Sequence, residues 1–197
     1  MGSAEEIGAI ASAAALTHVG LVRETNEDTV YVGAEGRLLL CADGLGGLPY
    51  GEVASRLAVE HVVRALTPCL EAGTAKEPKD WPDLLRRAFL EAQEAVRIAG
   101  RVRGVPGGIG TTLVAAVTTA RRAHICHVGD VRAYHWRRGA LTRLTDDHSV
   151  VFDAVRAGTL TVEQARAHPR RNLVTQAIGL AEGIDPTTTT ASIALCG

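Results

Sequence analysis

Several features are missing from this chain, and each absence removes a class of function. It has no block of lysines or arginines, and its formal charge is −1. The electrostatic footprint of a nucleic-acid binder, or of a protein held on an anionic membrane surface, is therefore lacking. The cysteines, Cys41, Cys69, Cys126 and Cys196, have no CxxC spacing. That excludes a zinc knuckle and a disulfide framework and leaves reduced, buried thiols as the expectation. No apolar run reaches membrane-spanning length, and Glu5 and Glu6 stand where a secretory signal carries positive charge, so a cytoplasmic protein is expected. The glycine-rich stretch 104–110 (GVPGGIG) also lacks a P-loop lysine, because Thr111 and Thr112 follow Gly110 directly. Nucleotide hydrolysis of that type is excluded.

What is present is the composition of a globular protein: 197 residues, 46% hydrophobic and 22% charged, enough for one domain with a real core. That domain is expected over 14–197, after a loose segment at 1–13. The stretch 38–52, LLLCADGLGGLPYGE, organises the rest. Its apolar run 38–42 reads as a strand covered on both faces, ending at Asp43, with Gly44, Gly46 and Gly47 free to turn and to bring backbone carbonyls near a ligand. In isolation this is either a cation site or a glycine turn with a solvated aspartate.

Around it, 14–20 and 29–32 read as strands joined by the polar connection GLVRETNED. In extended chain Arg23 and Glu27 would share a face, and Asp28 shares parity with Val30 and Val32, where an ionised carboxylate needs a partner or a metal. A helix opens at Gly51 and Glu52, buries Val59, Val62, Val63 and Leu66, and is expected to end near Thr67 and Pro68. After a breaker-rich loop at 71–79, a second helix over 82–100 carries the stripe Leu85, Ala88, Phe89, Ala92 and Val96, with Asp80 and Asp83 at its positive end. An antiparallel meander follows over 112–119, 123–128, 131–136 and 141–144. His124 and His127 read as sheet residues. Asp130, in the turn HVGDVRAY, is equally readable as a turn cap or a metal ligand. Asp146 and Asp147 read as helix N-caps before 150–157, Thr161 as the cap of a helix to 167, and the threonine-rich 186–195 as a strand.

Taken in order, Arg23-x-x-Asn26-Glu27-Asp28, Asp43-Gly44-Leu45-Gly46-Gly47 with Gly51-Glu52-Val53-Ala54-Ser55, Gly110-Thr111-Thr112 and Gly129-Asp130-x-Arg132 resemble the bacterial branch of the PP2C (PPM) metal-dependent protein serine/threonine phosphatases. The resemblance implies an α+β fold, a four-layer αββα sandwich of two antiparallel sheets flanked by helices. It implies hydrolysis of phosphoserine and phosphothreonine by a metal-bridging water, with two Mn2+ or Mg2+ ions and room for a third. Asp43 would bridge the metals, Gly44 would ligate through its carbonyl, Glu27 and Asp28 would hold the second ion, Asp130 would serve a third, and Arg23 would grip the phosphate. The partners implied are phosphoproteins and a Ser/Thr kinase or its targets, with neither nucleic acid nor membrane. Two positions depart from the pattern. Leu45 replaces a histidine of eukaryotic members, leaving the general acid unassigned, and Val131 replaces the usual Ser or Thr. The family's C-terminal aspartate motifs would fall beyond Gly197, so the domain is expected to be C-terminally incomplete. The competing expectation is a weak or inactive module that binds phosphoproteins and regulates signalling.

Overall fold

Alternating burial along the second strand sets the architecture: Leu38, Leu40 and Ala42 are fully buried, while Leu39 and Cys41, pointing the other way, are half-buried. The structure, a computed structural model, describes residues 12–71, 80–119, 121–180 and 183–193. Residues 1–11 of the expected loose segment, residues 72–79 of the expected 71–79 loop, the last two residues of the expected 186–195 strand, and Cys196 lie outside the described residues.

Strands β1 (Asp28–Gly33), β2 (Leu38–Asp43), β3 (Leu113–Thr118), β4 (Arg122–Val128) and β7 (Thr187–Ser192) form one antiparallel sheet in the order β1-β2-β3-β4-β7. Strands β5 (Tyr134–Arg137) and β6 (Ala140–Arg143) pair as a separate antiparallel hairpin. Helices α1 (Gly51–Glu71) and α2 (Trp81–Val102) pack on each other and on one face of the larger sheet, α1 over β1 and β2, α2 over β4 and β7. Their expected stripes meet the inward residues of the strands in the main core, built around Phe89, Leu38, Leu66, Leu85 and Val62. Full burial of such side chains contributes about 1.5–3 kcal/mol each. The short helices α3 (Val150–Arg156) and α4 (Val162–Ala167) follow the hairpin. The expected class therefore holds: two antiparallel sheets with helices.

Several expected elements differ. The 14–20 strand is absent, and Leu16 is 90% exposed; among the described residues no sheet edge supplies the ladder of hydrogen bonds a strand needs. The 38–42 run is fully buried on the helix side only; on the other face Cys41 packs, half-buried, against a smaller cluster around Val114, Ala123 and Ile125. The meander divides after Gly129, because the free edge of β4 is taken by β7, from Arg122 opposite Ser192 to His127 opposite Thr187. Helix α1 passes through Pro68 instead of stopping there. The proline removes one backbone donor near the C-terminus, but Leu70 is buried in the core and its carbonyl accepts from the Arg37 guanidinium. Asp80 does cap α2, accepting from Asp83 N–H at 3.1 Å, and Thr161 forms a complete capping box with Gln164. Among the described residues no helix is long and apolar enough to cross a membrane.

Candidate active site

The β1–β2 register places Asp28, the first residue of one strand, directly opposite Asp43, the last of the other. Two acids facing each other at the open end of a strand pair repel, and Asp28 is among the causes that raise the Asp43 carboxyl. Asp43 is accordingly pushed up from 3.8 to about 6, first by burial, then by Asp28, then by Asp130; Arg23 opposes the shift. Asp43 therefore keeps its proton to a higher pH than an ordinary carboxylate.

Asp43 is held by its backbone. Its carbonyl accepts from Thr112 N–H at 2.9 Å and from the Thr111 hydroxyl at 2.8 Å, while its own N–H donates to Thr112 Oγ1 at 3.3 Å. Both threonines are buried. Leu45 N–H donates to Gly110 O at 2.9 Å, and a Cβ on residue 110 would come within 2.9 Å of the Leu45 side chain and 2.8 Å of Leu180. The Gly110-Thr111-Thr112 triplet thus clamps the strand end that presents Asp43.

Arg23 and Glu27 form an ion pair at 3.1 Å, with side chains 61% and 15% exposed. The pairing does not arise from strand parity, since these residues lie in an irregular connection. The Glu27 carboxylate instead packs against Gly51, where a Cβ would fall 3.1 Å from it. Gly51 is the first residue of α1, whose N-terminus favours negative charge. Gly44 N–H donates to Glu27 O at 3.1 Å, and a Cβ on Gly44 would stand 2.6 Å from Gly51 backbone and 2.8 Å from Glu27 O. Close packing of three backbone segments, not carbonyl presentation alone, requires glycine at 44. Of the DGLGG glycines only Gly47 has positive φ, at 102°; Gly46 leaves room for the Arg23 guanidinium, 3.1 Å from where a Cβ would lie.

Asp130 follows β4 after Gly129, whose φ is 96° and whose Cβ would clash with Thr112 at 2.5 Å. Burial raises the Asp130 carboxyl, Asp147 adds to the shift, and Arg132 offsets part of it. The structure therefore sets Asp28 directly opposite Asp43, puts Asp130 close enough to act on Asp43, and turns Glu27 toward Arg23 and the α1 terminus. Among the described residues no three His, Cys, Asp or Glu side chains form a ready-made coordination cluster.

A model of the family described as Protein phosphatase 2C matches residues 22–181. The chain belongs to that family. Its similarity to PP2C proteins extends to the serine/threonine protein phosphatase PstP of Mycobacterium tuberculosis, 40% identical over 182 residues, covering 89% of this chain and 32% of that one. The crystal structure of the serine/threonine phosphatase Stp1 from Staphylococcus aureus aligns with a TM-score of 0.82 at 30% identity, covering 98% of this chain and 76% of that one. A structure of the catalytic domain of PstP in complex with two manganese ions aligns with a TM-score of 0.72 at 35% identity, covering 90% and 70%. The chain thus spans about a third of the full PstP and about three quarters of Stp1.

Within this PP2C frame the sequence reading missed one residue of consequence. Asp147 does not cap α3; Ser149 does, accepting from Phe152 N–H at 3.3 Å. Asp147 is buried and receives Arg132 through two parallel bonds, at 2.8 and 2.5 Å, with Arg143 at 3.3 Å. The signal was the pair Arg132 and Asp147 flanking a hairpin, legible only once the hairpin is known to fold back. His127 is a buried sheet residue, as expected; its ring stacks on His148 with centroids 4.6 Å apart, and Nε2 lies 2.6 Å from Asp146 O.

Proposed function

We propose that this chain hydrolyses phosphoserine and phosphothreonine esters of proteins with the help of Mn2+ or Mg2+. The observation that carries the reading is the Asp28–Asp43 carboxyl pair, with Asp130 beside it, at the end of strands clamped by Thr111 and Thr112. Two acids set against each other, neither in an ion pair among the described residues, are a site that a hard divalent ion would relieve, and an all-oxygen donor set suits Mg2+ or Mn2+. We assign Asp43 as the bridging ligand, the Gly44 carbonyl as its companion, Glu27 and Asp28 to the second ion and Asp130 to a third. When bound, such ions neutralise phosphate charge and make water available as a nucleophile at neutral pH.

The chain's own residues do the rest. Arg23 engages Glu27 through Nη1 and is otherwise exposed, so its remaining guanidinium edge is free to hold and orient two phosphoryl oxygens. Glu27 positions that guanidinium. A cysteine nucleophile is disfavoured: burial, with Asp28 and Asp43 adding, raises the Cys41 thiol, and burial pushes Cys126 up to about 12. The cysteines at 41, 69 and 126 are free, in keeping with a reducing, cytoplasmic setting, where we place the protein as the opponent of a Ser/Thr kinase. We take 14–197 as the phosphatase domain.

The test is hydrolysis of p-nitrophenyl phosphate and of a phosphothreonine peptide, with Mn2+ and with EDTA, by this chain and by Asp43→Asn. Turnover that requires metal and falls at least about 100-fold in the variant, a loss of about 2.7 kcal/mol of transition-state stabilisation, supports the reading. Turnover that is indifferent to EDTA, or untouched by the substitution, refutes it.

A further inference from the structure

Beyond the carboxylate cluster, a cavity of about 430 Å³ opens between the β5–β6 hairpin and the α3–α4 segment, and Asp130 forms part of its wall. Asp130 also contributes to the Asp43 shift, so cavity and cluster share a border. The cavity lining carries Arg132, Arg143, Arg166 and Arg171 against Asp130 and Asp147. The inner charges are already ion-paired: Asp147 is gripped by Arg132 and Arg143, Arg143 also lies 3.7 Å from Asp146 and 5.1 Å over the Phe152 ring, and its buried Nη2 has no hydrogen-bond partner among the described residues. With Asp130 in the wall, the two inner guanidiniums and the two carboxylates of the lining balance in formal charge, so the net positive charge of the lining comes from the outer arginines.

The outer arginines differ. Arg166, in the last turn of α4, and Arg171, just past it, are exposed, and among the described residues neither has an ion-pair partner. Every other arginine of this cavity is spoken for. Two guanidiniums without an ion-pair partner, over a floor whose formal charges balance, favour an oxyanion, and the fork geometry of each matches a carboxylate or phosphoryl group. The volume far exceeds that of a lone inorganic anion, and aliphatic wall residues Val151, Val155 and Val162 suit the stem of a longer side chain.

We propose that this cavity is a specificity subsite for an acidic side chain of the substrate polypeptide, carried some residues away from the phosphoester, with Arg166 and Arg171 as its ligands. This rests on the phosphatase reading above and names the substrate class it implies: phosphoproteins whose phosphosite lies in an acidic stretch, or one carrying a second phosphoryl group.

The experiment uses the full chain with Mn2+ and fluorescein-labelled peptides in which a non-hydrolysable phosphonate replaces the phosphoester. Single Glu, phosphoserine or Ala residues are placed in turn at positions on either side, and affinities are read by anisotropy. At the favoured position Glu binds about two- to fivefold more tightly than Ala, the range of one exposed charge-assisted contact. Phosphoserine binding tighter still identifies a second phosphoryl group as the better ligand; Glu binding equally well identifies a carboxylate site. In Arg166→Ala/Arg171→Ala the preference drops to about unity, and in the Lys/Lys variant a part of it returns. Both arginines are exposed, and thermal unfolding checks that the variants fold. A preference absent at every position in the natural chain, or undiminished in the double alanine variant, overturns the subsite. Turnover of p-nitrophenyl phosphate is measured in parallel. Its absence with the preference intact sinks the phosphatase reading and leaves the subsite standing, its presence with no preference does the reverse, and absence of both overturns both.

Discussion

Replacing Asp28 by Asn should stabilise the metal-free protein while weakening its hold on divalent ions. Asp43 is pushed from 3.8 to about 6 in the fold, and a shift of that size, fully converted, corresponds to roughly 3 kcal/mol against the ionised native state. Burial is the first cause and Asp28 the second, and Asp43 is itself exposed, so solvent screening leaves on the order of 1 kcal/mol for the Asp28 share. The sign follows from linkage. A carboxyl raised by folding favours the fold fully below its unfolded value, and that contribution is lost as pH climbs through about 6. The benefit of removing the Asp28 charge therefore exists above pH 6 and fades in acid. For a chain of this length, ~1 kcal/mol appears as ~2–4 °C in Tm. Thermal unfolding in EDTA should show Asp28→Asn melting that much higher at pH 7.5 and level with the natural chain at pH 4.5, while a Mn2+ titration shows weaker binding. A variant that is less stable in EDTA at pH 7.5, or one whose gain is the same at both pH values, would refute the claim that the two acids oppose each other in the fold.

Four other outcomes are expected. Because a proton must leave Asp43 before an ion can be held there, Mn2+ affinity measured by calorimetry should weaken by up to about tenfold per pH unit below the Asp43 value of about 6. Gly129→Ala meets both a φ of 96° and a 2.5 Å clash with Thr112, so chemical denaturation should show a loss of about 2–4 kcal/mol. Thr111→Val removes the hydroxyl that holds the Asp43 carbonyl at 2.8 Å; it should cost about 1 kcal/mol of stability and lower metal affinity without altering the helices by circular dichroism. At pH 8, Cys126 should resist a thiol reagent in the native state and react only on unfolding, since burial holds its thiol at about 12; rapid native labelling at that residue, mapped by peptide mass, would contradict its place under α2.

The chain itself determined the elements whose burial repeats along one helix or strand. The stripe Leu85, Ala88, Phe89, Ala92 and Val96 is fully buried as its spacing requires, and the Asp80 and Thr161 caps are where local side-chain chemistry puts them. The positions of the proposed site residues were legible as well, Asp43 at the end of an apolar run and Asp130 after a glycine, because each marks the point where a strand must surface. Local pattern could not determine which segments would find partners. The 14–20 stretch has strand composition but no ladder, β7 takes the edge of β4 that a simple meander would have used, and Pro68 stays in a helix because Leu70 still has core to reach. Only the fold could set Asp28 against Asp43, lay the Glu27 carboxylate on Gly51, and fold the hairpin back so that Asp147 receives two arginines. Sheet register and chain crossing join residues far apart in sequence, and periodicity, which reports only which way each side chain faces, carries no information about what it will face.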